Sequence, residues 1–424
     1  VWELYGASRF RKEESQVLEI IFTPKERNRF IEDGLLGDFE AISASVAVMR
    51  VENAACFNKA DKEMIDSQIV EHVEGGHNTL DTMVAQQIQK WFSSAAMEAT
   101  EELRGKDTSR FAALLHASGR LYDEQGKLAE ALDAYRQALE LKESELGPFH
   151  TSVAETLNNI AGVYRSQGLL DKSLGTYGRA LGIKRANLGP DNVSVAATLN
   201  NMAIVYRRKG RLATSLEFYE QALLIKERSL GPEDTSVADT LNNMASVYDD
   251  QGKLDIALDT YTQALEIKEM NLGGDHTSVA NTLNNMANVL RKQGKFDVAL
   301  ETFQRALEIK KANLGPEHTS VAETLNNMAS VYKDQGQLEK ALNTFQESLR
   351  VKTMNLGRSH ASVAETLNSI AGVYIEQRDL DRALDMYLKS LDIKTAKLGS
   401  QHTAVAETLN NIANVYDNQG KLDK

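Results

Sequence analysis

Residues 319–357 read TSVAETLNNMASVYKDQGQLEKALNTFQESLRVKTMNLG and contain the pattern that decides the fold. In the first half, Leu325, Ala329 and Tyr332 follow helical spacing. Gly336 is expected to end that helix, since glycine readily takes a positive φ. The second half carries another apolar stripe, made of Leu338, Ala341, Leu342, Phe345 and Leu349. The stretch therefore predicts two helices joined by a tight turn.

The same stretch recurs along the chain with a period of 42 residues. A Leu-Gly pair marks one breakpoint, with its glycine at Gly147, Gly189, Gly231, Gly273, Gly315, Gly357 and Gly399. A second glycine marks the turn inside the pair, at Gly126, Gly168, Gly210, Gly252, Gly294, Gly336 and Gly420, with Arg378 as the exception. Residues 108–424 thus hold seven helix pairs and the first helix of an eighth.

Two columns of side chains predict how the helices of a pair meet. Small residues recur at Ala161, Ala203, Ala245, Ala287, Ala329, Ala371 and Ala413 on the first helix. They also recur at Ala131, Ser173, Ser215, Ala257, Ala299, Ala341 and Ala383 on the second. Large aromatics lie beside them at Tyr135, Tyr177, Tyr219, Tyr261, Phe303, Phe345 and Tyr387. Small side chains let helices approach closely, so we expect the aromatics to form a core rather than a cofactor site.

The order of small, large and aromatic positions resembles the tetratricopeptide repeat. The 42-residue variety, with Leu-Asn-Asn-Met-Ala and a closing Leu-Gly-Pro-x-His, is similar to repeats of kinesin light chains and nephrocystin-type scaffolds. The resemblance implies a mainly α, tetratricopeptide-type solenoid over residues 101–424, whose first helices line a concave groove. Kinesin light chains bind the kinesin heavy chain through a coiled coil. Sustained heptads are absent here, so that partner is suggested by resemblance only.

Paired asparagines in the middle of each first helix are the main candidates for peptide binding. An asparagine amide both donates and accepts, so it can hold the backbone of an extended peptide. It can equally bond a neighbouring helix and hold the stack, and we expect one asparagine of each pair to serve each purpose. The peptide-binding candidates are Asn159, Asn201, Asn243, Asn285, Asn327 and Asn411, and their neighbours are Asn158, Asn200, Asn242, Asn284, Asn326 and Asn410.

Charges one turn later on the same helices differ between repeats and are candidates for specificity. The basic candidates are Arg165, Arg207, Arg208, Arg291, Lys292 and Lys333, and they flank the acidic pair Asp249 and Asp250. Because arginine holds a carboxylate by two parallel hydrogen bonds, we expect an acidic peptide segment to dock here. The alternative is a solvated face of mixed charge.

Three further columns favour structural roles. Ser320 and Glu323 have the form of a capping box at a helix start. A lysine late in each second helix, from Lys142 to Lys394, is expected to complement the helix dipole. Histidines of the inter-repeat loops, such as His318, each lie on a different repeat, which favours loop packing over metal binding.

Residues 1–100 break the period and predict part of an α/β domain. Residues 17–22 and 46–51 are predicted strands, and helices are expected at about 36–44, 59–72 and 79–100. The opening Trp2-Glu3-Leu4 is similar to a segment of TIR-like domains, in whose NAD-cleaving members a glutamate at the position of Glu3 acts. That resemblance provides the alternative function, a TIR-like signalling protein with the repeats as a sensor or oligomerisation arm. Our preferred interpretation is a remnant that caps the first repeat.

Composition limits the remaining function classes. The net charge of −12 disfavours nucleic acid and anionic membranes as partners. A single cysteine, Cys56, favours a reducing compartment, and we expect a cytoplasmic protein. The cluster of Glu71, His72, Glu74 and His77 lacks metal-site spacing. Phosphate-loop, nucleophile-elbow and dinucleotide motifs are absent. The sequence therefore predicts a binding protein that has no cofactor and is not an enzyme.

Overall fold

The computed structural model describes residues 24–37, 76–400 and 402–421. It divides into two compact units, Val1–Gln251 and Gly252–Lys424, called here the amino-terminal and carboxyl-terminal units. The regular structure within the described ranges is entirely helical. The strands expected at 17–22 and 46–51, the helix at 59–72 and Glu3 lie outside those ranges. None of the described helices is long and apolar enough to cross a membrane.

The described part of the amino-terminal unit has a short helix that continues as a π-helix, Phe30–Leu35, and eight longer helices. Its helices are α1 (Pro24–Arg29), α2 (Gly76–Leu103), α3 (Thr108–Glu124), α4 (Leu128–Leu146), α5 (Thr151–Ser166), α6 (Leu170–Leu188), α7 (Val193–Arg208), α8 (Leu212–Leu230) and α9 (Thr235–Asp250). Odd-numbered helices from α3 onward are the first helices of pairs. Each of α3, α5 and α7 packs against the second helix that follows it.

The carboxyl-terminal unit continues the same alternation. Its helices are α10 (Leu254–Leu272), α11 (Thr277–Lys292), α12 (Phe296–Leu314), α13 (Thr319–Asp334), α14 (Leu338–Leu356), α15 (Ala361–Glu376), α16 (Leu380–Leu398) and α17 (Thr403–Asn418). Each of α11, α13 and α15 packs against its following second helix, and consecutive first helices also touch one another. The predicted fold class, a tetratricopeptide-type array of helix pairs, is confirmed.

The two predicted packing columns form the core. The aromatic column is buried throughout, from Tyr135 at 1% exposure to Tyr387 at 7%. The small residues of the first helices are fully buried from Ala161 to Ala371, whereas Ala413 of α17 is exposed. Where serine replaces alanine on the second helix, the helices are close enough for its hydroxyl to bond the facing backbone, and Ser173 donates to the carbonyl oxygen of Ala161 at 2.7 Å. Close approach of the helices therefore depends on small side chains.

Helix starts in the repeats differ from the predicted capping box. The N-cap of α13 is His318, whose Nδ1 accepts a hydrogen bond of 3.1 Å from the backbone N–H of Ser320. The prediction that Ser320 caps the helix with its hydroxyl is therefore wrong. Asn192 and Asp234 occupy the same position in α7 and α9 and cap those helices with their side-chain oxygens. The loop histidines are thus helix caps.

Helix ends follow the prediction. Gly336 ends the turn after α13 with φ of 75°. Arg378, the exception in that column, adopts the same left-handed conformation with φ of 61°, and it is the one non-glycine residue with positive φ in the described ranges. A side chain in that conformation is strained, because its Cβ crowds the following carbonyl oxygen.

The lysine column is buried rather than placed at the exposed end of each helix. Lys184 is 5% exposed, and its ammonium group donates to Thr198 Oγ1 at 3.0 Å, on the first helix of the next repeat. The same bond joins Lys352 to Thr366 at 2.9 Å. Burial lowers the pKa of these lysines. The lysines thus have a structural role, as expected. They fill it through a hydrogen bond to a threonine of the next helix, whereas the prediction had them complement the dipole of their own helix.

The segment before the repeats covers the outer side of α3. Phe30 of the π-helix stacks on Phe92 of α2 with ring centroids 4.2 Å apart. Both belong to a buried cluster with Leu114 and Leu121 of α3. The predicted helix at 79–100 is confirmed with wider bounds, Gly76–Leu103. Helix α2 thus lies on the first repeat in the amino-terminal unit, as the second helix of a preceding repeat would.

Candidate functional site

In several repeats, the first asparagine of the pair bonds the first helix of the next repeat. Asn158 Oδ1 accepts a hydrogen bond of 3.2 Å from Thr198 Oγ1 on the next first helix. In the carboxyl-terminal unit, Asn326 Oδ1 accepts from Thr366 Oγ1 at 3.1 Å. The same threonine hydroxyl also accepts a hydrogen bond from the ammonium group of the buried lysine. Asn158 and Asn326 therefore have the stacking role considered for the asparagine pairs, whereas Asn200 Oδ1 is buried without a partner among the described residues.

The second asparagines, which are the peptide-binding candidates, are half-buried on the same helices. Two of them have partners within the chain. Asn159 bonds the ring nitrogen Nε2 of His116 at 3.2 Å, and Asn327 Nδ2 donates to Asn284 Oδ1 at 3.3 Å. Among the described residues, the amides of the other four make no hydrogen bond, and these are Asn201, Asn243, Asn285 and Asn411. Their polar groups are therefore available to a ligand.

His116 stands where later repeats have the first asparagine. Its Nδ1 lies 3.0 Å from Thr156 Oγ1, and its Nε2 faces the Asn159 amide. Desolvation by burial, helped by Lys142, lowers the pKa of His116 to about 3, so the ring is neutral. If Asn159 donates to Nε2, the ring proton is on Nδ1 and points to threonine. The histidine thereby replaces the missing asparagine in the stack and also fixes Asn159.

Three of the six basic candidates are engaged in ion pairs between consecutive first helices. Arg207 donates two hydrogen bonds to Asp250, from Nε to Oδ2 at 2.5 Å and from Nη2 to Oδ1 at 3.2 Å. In the carboxyl-terminal unit, Arg291 Nε lies 2.6 Å from Asp334 Oδ2. There Lys333 Nζ lies 3.7 Å from Glu376 Oε1. These charges are largely compensated within the chain. Lys292 is exposed at the end of α11.

Arg165 and Arg208 meet at the end of α5. Arg208 Nη1 donates to the backbone carbonyl oxygen of Arg165 at 3.1 Å, and the Arg208 side chain is exposed. Arg165 is half-buried, and its Nη1 is buried without a hydrogen-bond acceptor among the described residues. Burial raises the pKa of Asp123 in α3, and the charge of Arg165 acts in the opposite direction. The structure therefore places two cationic side chains together in the amino-terminal unit.

The structure does not describe the side chains of the metal and catalytic candidates in the first hundred residues. Glu71, His72 and Glu74 lie outside the described ranges, and His77 falls within α2, whose side chain there is not described. Within the described ranges, no group of three or more His, Cys, Asp or Glu side chains could hold a metal ion.

Comparison with known proteins places this arrangement among helical repeats. The tetratricopeptide repeat model matches residues 110–186, 152–223, 194–270, 278–354 and 362–424. In sequence, no curated protein matches the chain significantly.

Several solved structures resemble the chain at low sequence identity. The apo form of the quorum sensor NprR from B. thuringiensis has a TM-score of 0.58 at 18% identity, over 86% of this chain and 99% of that one. A Rap protein complexed with Competence and Sporulation Factor has a TM-score of 0.55 at 17% identity, over 91% and 98%. A putative kinesin light chain from Podosopora anserina has a TM-score of 0.42 at 21% identity, over 49% and 98%. Such identities show likeness of fold alone.

Proposed function

The chain belongs to the tetratricopeptide repeat family, and on that premise we propose that it is an interaction scaffold whose first helices bind an extended peptide segment of another protein. The proposal concerns binding and involves neither a cofactor nor a catalytic step. The single cysteine supports a cytoplasmic setting. The described residues offer no separate support for the kinesin heavy chain as partner.

One observation carries the proposal. Asn201 and Asn243 lie on consecutive first helices of the amino-terminal unit, half-buried, and within the described part of the chain their amides bond nothing. A half-buried amide can keep water as its partner in the free protein and exchange that water for the N–H and C=O groups of a peptide backbone. The repeated spacing of these amides suits a ligand that presents backbone N–H and C=O groups at intervals.

The acidic character of the ligand is a second part of the proposal. Arg165 and Arg208 meet at the end of α5, and within the described ranges neither makes an ion pair. A guanidinium group binds a carboxylate with two parallel hydrogen bonds. The Rap protein named above was crystallised with a Competence and Sporulation Factor. That structure is a precedent for ligand binding by a protein of similar fold.

A peptide array probed with the full 424-residue chain tests the proposal. The test variant combines Asn201→Ala with Asn243→Ala, and the control is Gln221→Ala, which removes an exposed amide from the second helix α8. Two lost hydrogen bonds predict at least about tenfold weaker capture by the double variant, while the control binds as wild type does. Equal capture by all three proteins would refute a site on the first helices.

A further inference from the structure

At one register, three pairs of consecutive first helices form an ion pair, and in another pair both residues are cations. A cation near the end of one helix faces an anion near the end of the next, 43 residues later, in Arg207–Asp250, Arg291–Asp334 and Lys333–Glu376. At the same register, the residue facing Arg165 is Arg208. The repeat that should supply a carboxylate supplies a second guanidinium group.

The local contacts show that this exception is not compensated by a bond inside the chain. Arg208 turns to the backbone oxygen of Arg165, at the end of α5, where a cation is favoured by the helix dipole. Arg165 keeps a buried Nη1 that has no acceptor within the described ranges. A buried donor on a charged group loses its hydration without regaining a hydrogen bond, which is among the costlier arrangements in a protein.

We propose that Arg165 and Arg208 together bind one carboxylate of the peptide ligand, which takes the place of the acidic side chain that faces Arg207, Arg291 or Lys333 in the ion-paired repeats. This inference rests on the proposed peptide-binding function and narrows it to one charged subsite. One carboxylate has the oxygens needed to accept from both guanidinium groups. Arg207 is not part of the subsite, because its Nε and Nη2 already donate hydrogen bonds to Asp250.

Two degenerate peptide libraries of about nine residues provide the probe. Both are acetylated and amidated, and both exclude acidic residues except at the centre, where one has Asp and the other Asn. The amount of each captured by the immobilised full chain is compared for wild type, Arg165→Gln, Arg208→Gln and the control Arg207→Gln. A third library without acidic residues but with a free carboxyl terminus shows whether a terminal carboxylate serves equally.

We expect wild type to capture at least about tenfold more of the Asp library than of the Asn library, because hydrogen bonds to charged groups contribute strongly to the free energy of binding. That preference should fall to near unity in Arg165→Gln and in Arg208→Gln and persist in Arg207→Gln. Equal capture of Asp and Asn libraries by wild type overturns the subsite and leaves the peptide-binding function standing. The subsite is also overturned if Arg207→Gln loses the preference for the Asp library while Arg165→Gln and Arg208→Gln keep it. Failure to capture any library overturns both.

Discussion

The ammonium group of Lys184 donates a hydrogen bond of 3.0 Å to Thr198 Oγ1, across the boundary between two repeats. It donates a second bond of 3.3 Å to the carbonyl oxygen of Ser194 on the same neighbouring helix. A buried cation held by neutral oxygens is satisfied but not neutralised, so it links repeats at a cost in desolvation. This relationship gives two predictions on stability.

Removing the threonine acceptor should lower the free energy of unfolding more than removing the lysine cation. Thr198→Val leaves the buried ammonium with one bond fewer and should lower the free energy of unfolding by about 1–3 kcal/mol. Lys184→Met keeps the aliphatic packing, and the one hydroxyl proton of Thr198 still has an acceptor in Asn158 Oδ1 or the Ser194 carbonyl oxygen. We therefore expect Lys184→Met to remain within about 1 kcal/mol of wild type. Urea denaturation of both variants checks this, and a larger loss in Lys184→Met would contradict it.

The same lysine should give stability a defined pH dependence. Burial lowers the pKa of Lys184 in the folded state, so the unfolded chain binds more protons between that pKa and about 10.4. Stability from this group therefore rises with pH across that window and is lowest below it. The difference between Lys184→Met and wild type should shift in favour of wild type as pH rises through the window. A pH-independent difference would show that the ammonium is not desolvated.

Two glycines should respond in opposite ways to alanine. A Cβ added at Gly178, in the second helix α6, meets no atom within 4 Å. Gly178→Ala should therefore stabilise the chain by about 1 kcal/mol through helix propensity. A Cβ at Gly119 in α3 would lie 2.6 Å from the Tyr135 ring, and Gly119→Ala should destabilise by about 1–3 kcal/mol. Thermal unfolding midpoints that move in the same direction would contradict this account of the helix contact.

The strained turn at Arg378 offers a matched exchange. Arg378→Gly should raise the free energy of unfolding by roughly 1 kcal/mol, because its φ of 61° is unfavourable for a side chain. The reverse exchange, Gly336→Arg, places a side chain at φ of 75° in the preceding repeat and should lower stability by a similar amount. Guanidinium denaturation measures both, and a stabilising Gly336→Arg would be inconsistent with turn strain.

The N-cap histidines predict a graded series at one position. His318→Ala removes the acceptor for the Ser320 amide and should cost about 1 kcal/mol. His318→Asp should retain or increase stability, because Asp234 caps α9 in the same way. Denaturant midpoints of the two variants give the test, and equal losses in both would mean that the cap bond contributes nothing.

The sequence predicted the helices, the turns and the core, because each depends on residue type repeated at a fixed period. Small and aromatic columns are visible without coordinates. The N-cap role of His318 was also accessible, since Asn192 and Asp234 stand in the same column and are strong helix caps.

The hydrogen bonds and ion pairs between repeats could not be predicted from the sequence period. Thr198 accepts from Lys184 and donates to Asn158, and these three residues come from three different helices. Their convergence depends on the rotation from one repeat to the next, which sequence period does not specify. The ion pair of Arg207 with Asp250 spans 43 residues, one more than the period, for the same reason. The sequence therefore showed which repeats carry basic side chains, but not that Arg207, Arg291 and Lys333 are ion-paired within the chain.

A crystal structure of the full chain with its tightest-binding array peptide tests the central claim most directly. The account predicts an extended peptide on the first helices of the amino-terminal unit, with backbone groups about 3 Å from the amides of Asn201 and Asn243. A peptide bound on the second helices or the inter-repeat loops, with both amides untouched, would contradict it.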